Sequence, residues 1–121
     1  VSSRPDALVL FNPVFDNGPD GFGFDRVQPR WREISPMHNI GPHTPPTIAF
    51  LGTEDPLIPV ATAEAYKQRM ADAGCRCALC LYEGHAHGFF NYREGENEFY
   101  YQTVASMDRF LASLGYLEPL T

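Results

Sequence analysis

The chain has 121 residues, a size for one domain that buries roughly two-thirds of the surface its unfolded form exposes, and its 44% hydrophobic and 13% aromatic content excludes a disordered chain. The net charge of −6 and the scatter of only nine Lys and Arg residues exclude a nucleic-acid partner, because neutralising phosphates needs clustered basic side chains. No apolar run approaches the roughly 18 residues of a membrane span and no charged-then-apolar leader opens the chain, so neither a membrane segment nor a signal peptide is expected.

Residues 6–14 open with the run Ala7-Leu8-Val9-Leu10-Phe11, closed by Asn12-Pro13. Apolar residues without polar alternation suit a strand covered on both faces of a parallel sheet. Residues 15–32 follow, centred on Asp16-Asn17-Gly18-Pro19-Asp20-Gly21-Phe22-Gly23-Phe24-Asp25, where glycine and proline forbid a long helix. This is expected to be an ordered loop at the carboxyl edge of the sheet, where open α/β sheets bind ligands. Phe22, Phe24 and Trp31 either line a substrate pocket or pin the loop down. Asp16, Asp20 and Asp25 miss the spacing of a calcium loop.

Ser35-Pro36 reads as an N-cap with proline at the first helical position, opening a short helix that ends at Gly41-Pro42. His38 and His43 read as surface or packing residues. Residues 47–51, Thr47-Ile48-Ala49-Phe50-Leu51, form the second buried strand, and Gly52 starts a loop carrying the adjacent carboxylates Glu54 and Asp55. After Pro59, Ala63, Tyr66, Met70 and Ala73 recur at helical spacing and Gly74 supplies the stop, which predicts a crossover helix over residues 60–73. Residues 75–82 are the third strand. Its thiols, Cys75, Cys77 and Cys80, invite a metal reading, but strand alternation sends Cys80 to the opposite face from the other two, so ordinary burial is expected. The run Gly84-His85-Ala86-His87-Gly88-Phe89-Phe90 then presents histidine in a glycine-flanked turn. Glu94, Glu96 and Glu98 make an acidic helix entry, and residues 96–114 carry the stripe Tyr100, Val104, Met107, Leu111 and Leu114, a last helix expected to pack back across the sheet.

A carboxylate after one buried strand and a histidine after the next follow the acid-then-histidine order of a hydrolase triad. The residues alone leave Glu54 or Asp55, and His85 or His87, open. Gly52-Thr53-Glu54-Asp55-Pro56-Leu57-Ile58-Pro59 and Glu83-Gly84-His85-Ala86-His87-Gly88-Phe89-Phe90 resemble the acid and histidine loops of α/β-hydrolase serine esterases, close to the acetyl-xylan and feruloyl esterase and prolyl-oligopeptidase-like branches. The resemblance implies that Asp55 is the acid, that His87 is the base, with His85 beside it as a pocket residue, and that no cofactor or metal takes part.

The family's Gly-x-Ser-x-Gly turn is missing: Ser2, Ser3, Ser35, Ser106 and Ser113 all lack that context. Residues 1–121 are therefore expected to be one partial α/β-hydrolase domain, its C-terminal part, with about three parallel strands and flanking helices. Such a piece would supply Asp55 and His87 to a carboxylesterase- or lipase-like enzyme acting on small esters and would be inactive alone. Its edge strand, from Ala7 to Phe11, is expected to self-associate or take a partner chain. Two other readings are a noncatalytic interaction module that retains both loops, favoured by the missing serine, and a metal-binding protein using the cysteines and nearby histidines.

Overall fold

Three apolar runs become three parallel strands. In the computed structural model, which describes residues 4–92, 94, 95 and 97–118, these are β1 (Leu8–Phe11), β2 (Thr47–Gly52) and β3 (Cys77–Tyr82), hydrogen-bonded in the order β1-β2-β3. The register pairs Leu8 with Thr47 and Phe11 with Phe50 on one side, and Thr47 with Cys77 and Gly52 with Tyr82 on the other. All six residues of β2 are buried, whereas β1 and β3 are mostly half-buried. The central strand has neighbours along both edges, which its unbroken apolar sequence requires. Asn12 ends β1 at φ 45°, a left-handed conformation that asparagine tolerates better than most residues, while its N–H still donates to Phe50 O at 2.8 Å.

The chain forms two compact units, one through His87 and one from Gly88 onward. In the first, helix α3 (Val60–Asp72; the helical turns before it are given below) buries Ala63, Tyr66 and Met70, the face its sequence spacing predicts. These join Ala49, Leu51, Phe15, Met37 and Ile58 in one core, with the Phe15 and Tyr66 ring centroids 4.5 Å apart. The helix stops at Gly74, φ 78°, where Gly74 N–H donates to Ala71 O at 3.0 Å and Cys75 N–H to Met70 O at 2.8 Å. That paired closure is a Schellman cap. It takes Cys75 into the helix terminus, so β3 begins two residues later than the sequence suggests.

The expected loop after β1 holds two single helical turns, α1 (Phe24–Val27) and α2 (Trp31–Ile34), then a 3₁₀ turn over Pro36–Asn39. Ser35 stands at the N-cap with Pro36 opening the turn, as the sequence predicts, but the turn is 3₁₀ and the Ser35 side chain makes no capping hydrogen bond. The fully buried hydroxyl instead accepts Asn17 N–H at 3.0 Å and bonds His38 Nδ1 at 2.8 Å, tying the start of the loop to its end.

In the second unit, helix α4 (Glu98–Ser113) half-buries the expected stripe of Tyr100, Val104, Met107, Leu111 and Leu114, and its fully buried positions, Thr103 and Phe110, lie beside that stripe. Thr103 reads as polar, yet its hydroxyl donates back to the Phe99 and Tyr100 carbonyls at 2.9 and 3.0 Å, which removes the penalty of burying it. Glu94 and Glu98 are exposed, as an acidic helix entry should be, and Glu96 lies outside the described residues. Among the described residues no helix is long and apolar enough to cross a membrane.

Candidate active site

The ends of β2 and β3 bring the acid and histidine loops together. Gly52 closes β2 against the second loop: a Cβ there would stand 2.1 Å from the His85 carbonyl oxygen, so only glycine allows this approach. Around it, Thr53 N–H donates to Tyr82 O at 3.1 Å, Glu54 N–H to His85 O at 2.9 Å, and Gly84 N–H to Thr53 Oγ1 at 2.9 Å. Gly84 takes φ 78°, the left-handed geometry that starts the histidine turn. These contacts form a clamp between the two loops.

Within the clamp Asp55 folds inward. Its N–H donates to Gly52 O at 3.2 Å, and its Oδ1 accepts the N–H groups of Leu57 at 2.8 Å and Ile58 at 3.2 Å. Oδ2 is left for His87 Nδ1, 2.8 Å away. The Asp55 side chain is fully buried, while 48% of the His87 side chain is exposed. A buried carboxylate is tolerable only when its lone pairs are matched by donors, and here two backbone amides and an imidazole match them. A carboxylate Oδ2 only accepts, so in the neutral imidazole this bond selects the tautomer with the hydrogen on Nδ1 and the lone pair on Nε2. Such a pair can remove a proton from a group presented at Nε2.

Glu54 is exposed and spends its N–H on the clamp, so of the two adjacent carboxylates only Asp55 is joined to a histidine in this way. His85 contributes its backbone carbonyl to the clamp and is half-buried. Phe22 lines a cavity of about 220 Å³ bounded by the loop after β1 and the residues following Asp55. Phe24 and Trp31 pin the loop: their rings meet edge-on at 6.5 Å, Trp31 meets His38 edge-on at 4.8 Å, and the Arg32 guanidinium lies 4.7 Å from the Trp31 centroid.

A serine, a histidine and an aspartate do meet elsewhere, at Ser35, His38 and Asp16, but they are not arranged as a triad. Ser35 Oγ at 2.8 Å and Asp16 Oδ1 at 3.8 Å both face His38 Nδ1, whereas a triad places serine and acid on opposite ring nitrogens. Ser35 is also wholly buried. Sequence reading took His38 for a surface or packing residue; its polar role is invisible there because its partners lie on different turns of the same loop. Burial pushes the Cys77 thiol up from its ordinary value, Lys67 partly offsetting this, and Cys75 Sγ donates to Gly41 O at 3.3 Å. Among the described residues no group of three His, Cys, Asp or Glu side chains is disposed to hold a metal ion.

The family model described as "Dienelactone hydrolase family" matches residues 29–120. No curated protein matches the chain. Among solved structures, the thermophilic esterase Est2 of the planctomycete Thermogutta terrifontis in its propionate-bound form superposes with a TM-score of 0.88 at 37% identity, over 100% of this chain and 47% of that one. The apo form of the same esterase gives 0.88 at 39% identity, over 98% and 46%, and the form phosphoramylated by tabun gives 0.86 at 39%, over 95% and 44%. The chain thus spans a little under half the length of these structures. With residues 29–120 matched and its three parallel strands aligned on an esterase fold, the chain belongs to the dienelactone hydrolase family and has the α/β-hydrolase architecture.

Proposed function

We propose that Asp55 and His87 are the acid and general base of a serine ester hydrolase, and that the chain is the acid–histidine portion of such an enzyme. The observation that carries this reading is the 2.8 Å bond from His87 Nδ1 to the buried Asp55 Oδ2. In the proposed reaction His87 Nε2 takes the proton of a serine hydroxyl as it attacks the ester carbonyl and gives it to the leaving alcohol. His87 then takes a proton from water as it attacks the acyl-serine and returns it to the serine oxygen, releasing the carboxylic acid. Asp55 holds the tautomer and stabilises the imidazolium. The oxyanion is met by backbone amides preorganised for it.

No serine of this chain stands in a nucleophile turn, so the nucleophile and the oxyanion donors are assigned to residues outside it, and the 121 residues alone are expected to be inactive. Structures of the Thermogutta esterase include propionate-bound and butyrate-bound forms and one phosphorylated by paraoxon. Esters of short carboxylic acids are the substrate class proposed by that likeness. In the full-length protein, Asp55→Asn is expected to lower kcat for p-nitrophenyl acetate by about 10⁴-fold and His87→Ala by at least about 10³-fold. Near-normal turnover by either variant would refute the assignment. The interaction-module reading keeps one observation in its favour, the missing serine motif, and predicts that a full-length protein would hydrolyse no ester.

A further inference from the structure

His38 closes the long loop after β1 through contacts that the proposed reaction does not use. Ser35 Oγ meets His38 Nδ1 at 2.8 Å and Asn17 N–H at 3.0 Å, so the start and the end of the loop join at one hydroxyl. The Asn17 amide only donates, and Ser35 is wholly buried, so the single hydroxyl hydrogen needs Nδ1 as its acceptor. That bond requires a lone pair on Nδ1 and the ring hydrogen on Nε2, the tautomer opposite to the one selected at His87. A second proton, on Nδ1, would set two donors against each other at 2.8 Å. Nδ1–H then needs another acceptor, and Asp16 Oδ1 stands 3.8 Å away.

We propose that His38 is a pH-sensitive latch, holding the two ends of this loop through Ser35 when neutral and through Asp16 when protonated. The His38 and Asp16 side chains are 21% and 25% exposed, so a proton can enter from solvent while the pair stays only partly screened. Charged groups face His38 from three elements. Asp16, on the loop, favours the imidazolium. Arg32 on α2, its guanidinium 4.7 Å from the Trp31 centroid, and Arg69 on α3, which donates to Met37 O at 3.3 Å, oppose it. Glu33 on α2 is paired with Arg30. Among the described residues only Asp16 stands within ion-pair distance of Nδ1. Its Oδ1 also accepts Gly18 N–H at 2.7 Å, and a carboxylate oxygen can accept both donors, so the turn survives the change. Asp16 lines the same cavity as Phe22, so its closing on His38 draws negative charge away from that wall.

Nuclear magnetic resonance of the histidine rings in the full-length protein tests this, the His38 signals being assigned by their loss in His38→Gln. At about pH 8, the upper end of the range in which histidines change charge, the ring hydrogen of His38 should sit on Nε2. The pH midpoint of the His38 signal should fall by about half a unit or more in Asp16→Asn, which removes an opposite charge from within about 4–6 Å. The midpoint should rise in Ser35→Ala, which takes the hydroxyl donor from the neutral form. An asparagine oxygen can still accept Gly18 N–H, so Asp16→Asn keeps the turn; should Ser35→Ala not fold, the tautomer and Asp16→Asn decide. Hydrogen on Nδ1 at high pH, a midpoint that does not fall in Asp16→Asn, or one that does not rise in a folded Ser35→Ala would each overturn the latch. The hydrolase reading, which rests on Asp55 and His87, is untouched by any of these results.

Discussion

At the residue scale the site depends on what surrounds Asp55 as much as on Asp55 itself. Two backbone amides occupy Oδ1, so the carboxylate cannot rotate away from His87 without losing both. The clamp around Gly52 and Thr53 then fixes where the histidine turn begins. Gly52→Ala would drive a methyl group into the His85 carbonyl, and displacement of the turn by about 1 Å can cost on the order of 10²-fold in rate. The expected outcome in the full-length protein is a fall in kcat of that order with KM for p-nitrophenyl acetate little changed. Thr53→Val removes the acceptor for Gly84 N–H and should lower kcat about tenfold, while Thr53→Ser should restore it; equal defects in Val and Ser variants would contradict the clamp. In the sequence only the resemblance favours Asp55 over Glu54, because adjacency gives no rule for which side chain turns inward. The structure separates them by burial: Glu54 is exposed and Asp55 is not.

At the element scale, the strands were legible because β1, β2 and β3 are each a plain apolar run, although only β2 is buried throughout and β1 and β3 are mostly half-buried. Helix α3 was equally plain, with Ala63, Tyr66 and Met70 at helical spacing and a glycine stop. Met70→Ala is expected to destabilise the full-length protein by about 2–5 kcal/mol, since Met70 is wholly buried in the core, and urea denaturation would measure it. A loss under about 0.5 kcal/mol would contradict that placement. Helix α4 was read on the right side, since Tyr100, Val104, Met107, Leu111 and Leu114 are half-buried and Tyr101, Gln102 and Arg109 exposed, but its deepest positions, Thr103 and Phe110, lie beside the predicted stripe. Counting apolar residues passes over a threonine whose hydroxyl bonds within its own helix. The knot of Ser35, His38 and Asp16 was illegible for a different reason. It joins the two ends of a loop, and no periodicity records such a contact.

At the scale of the whole molecule, the order of apolar runs indicated a parallel α/β sheet, which the structure shows, and the comparisons place the chain in the dienelactone hydrolase family. β1 stands at one edge of the described sheet, with β2 its one neighbour there, and edge strands of this kind invite pairing. Self-association of the 121-residue chain through β1 remains our proposal; a concentration-dependent elution volume in size-exclusion chromatography is expected, and a monomer at every concentration would contradict it. The central claim is that Asp55 and His87 activate a serine in the full-length protein, and covalent labelling by a fluorophosphonate tests it most directly. The account predicts that the wild type labels at a serine outside these 121 residues, and that Asp55→Asn and His87→Ala each slow labelling by about 10³-fold or more. Absence of labelling in the wild type, or unchanged labelling rates in both variants, would contradict it.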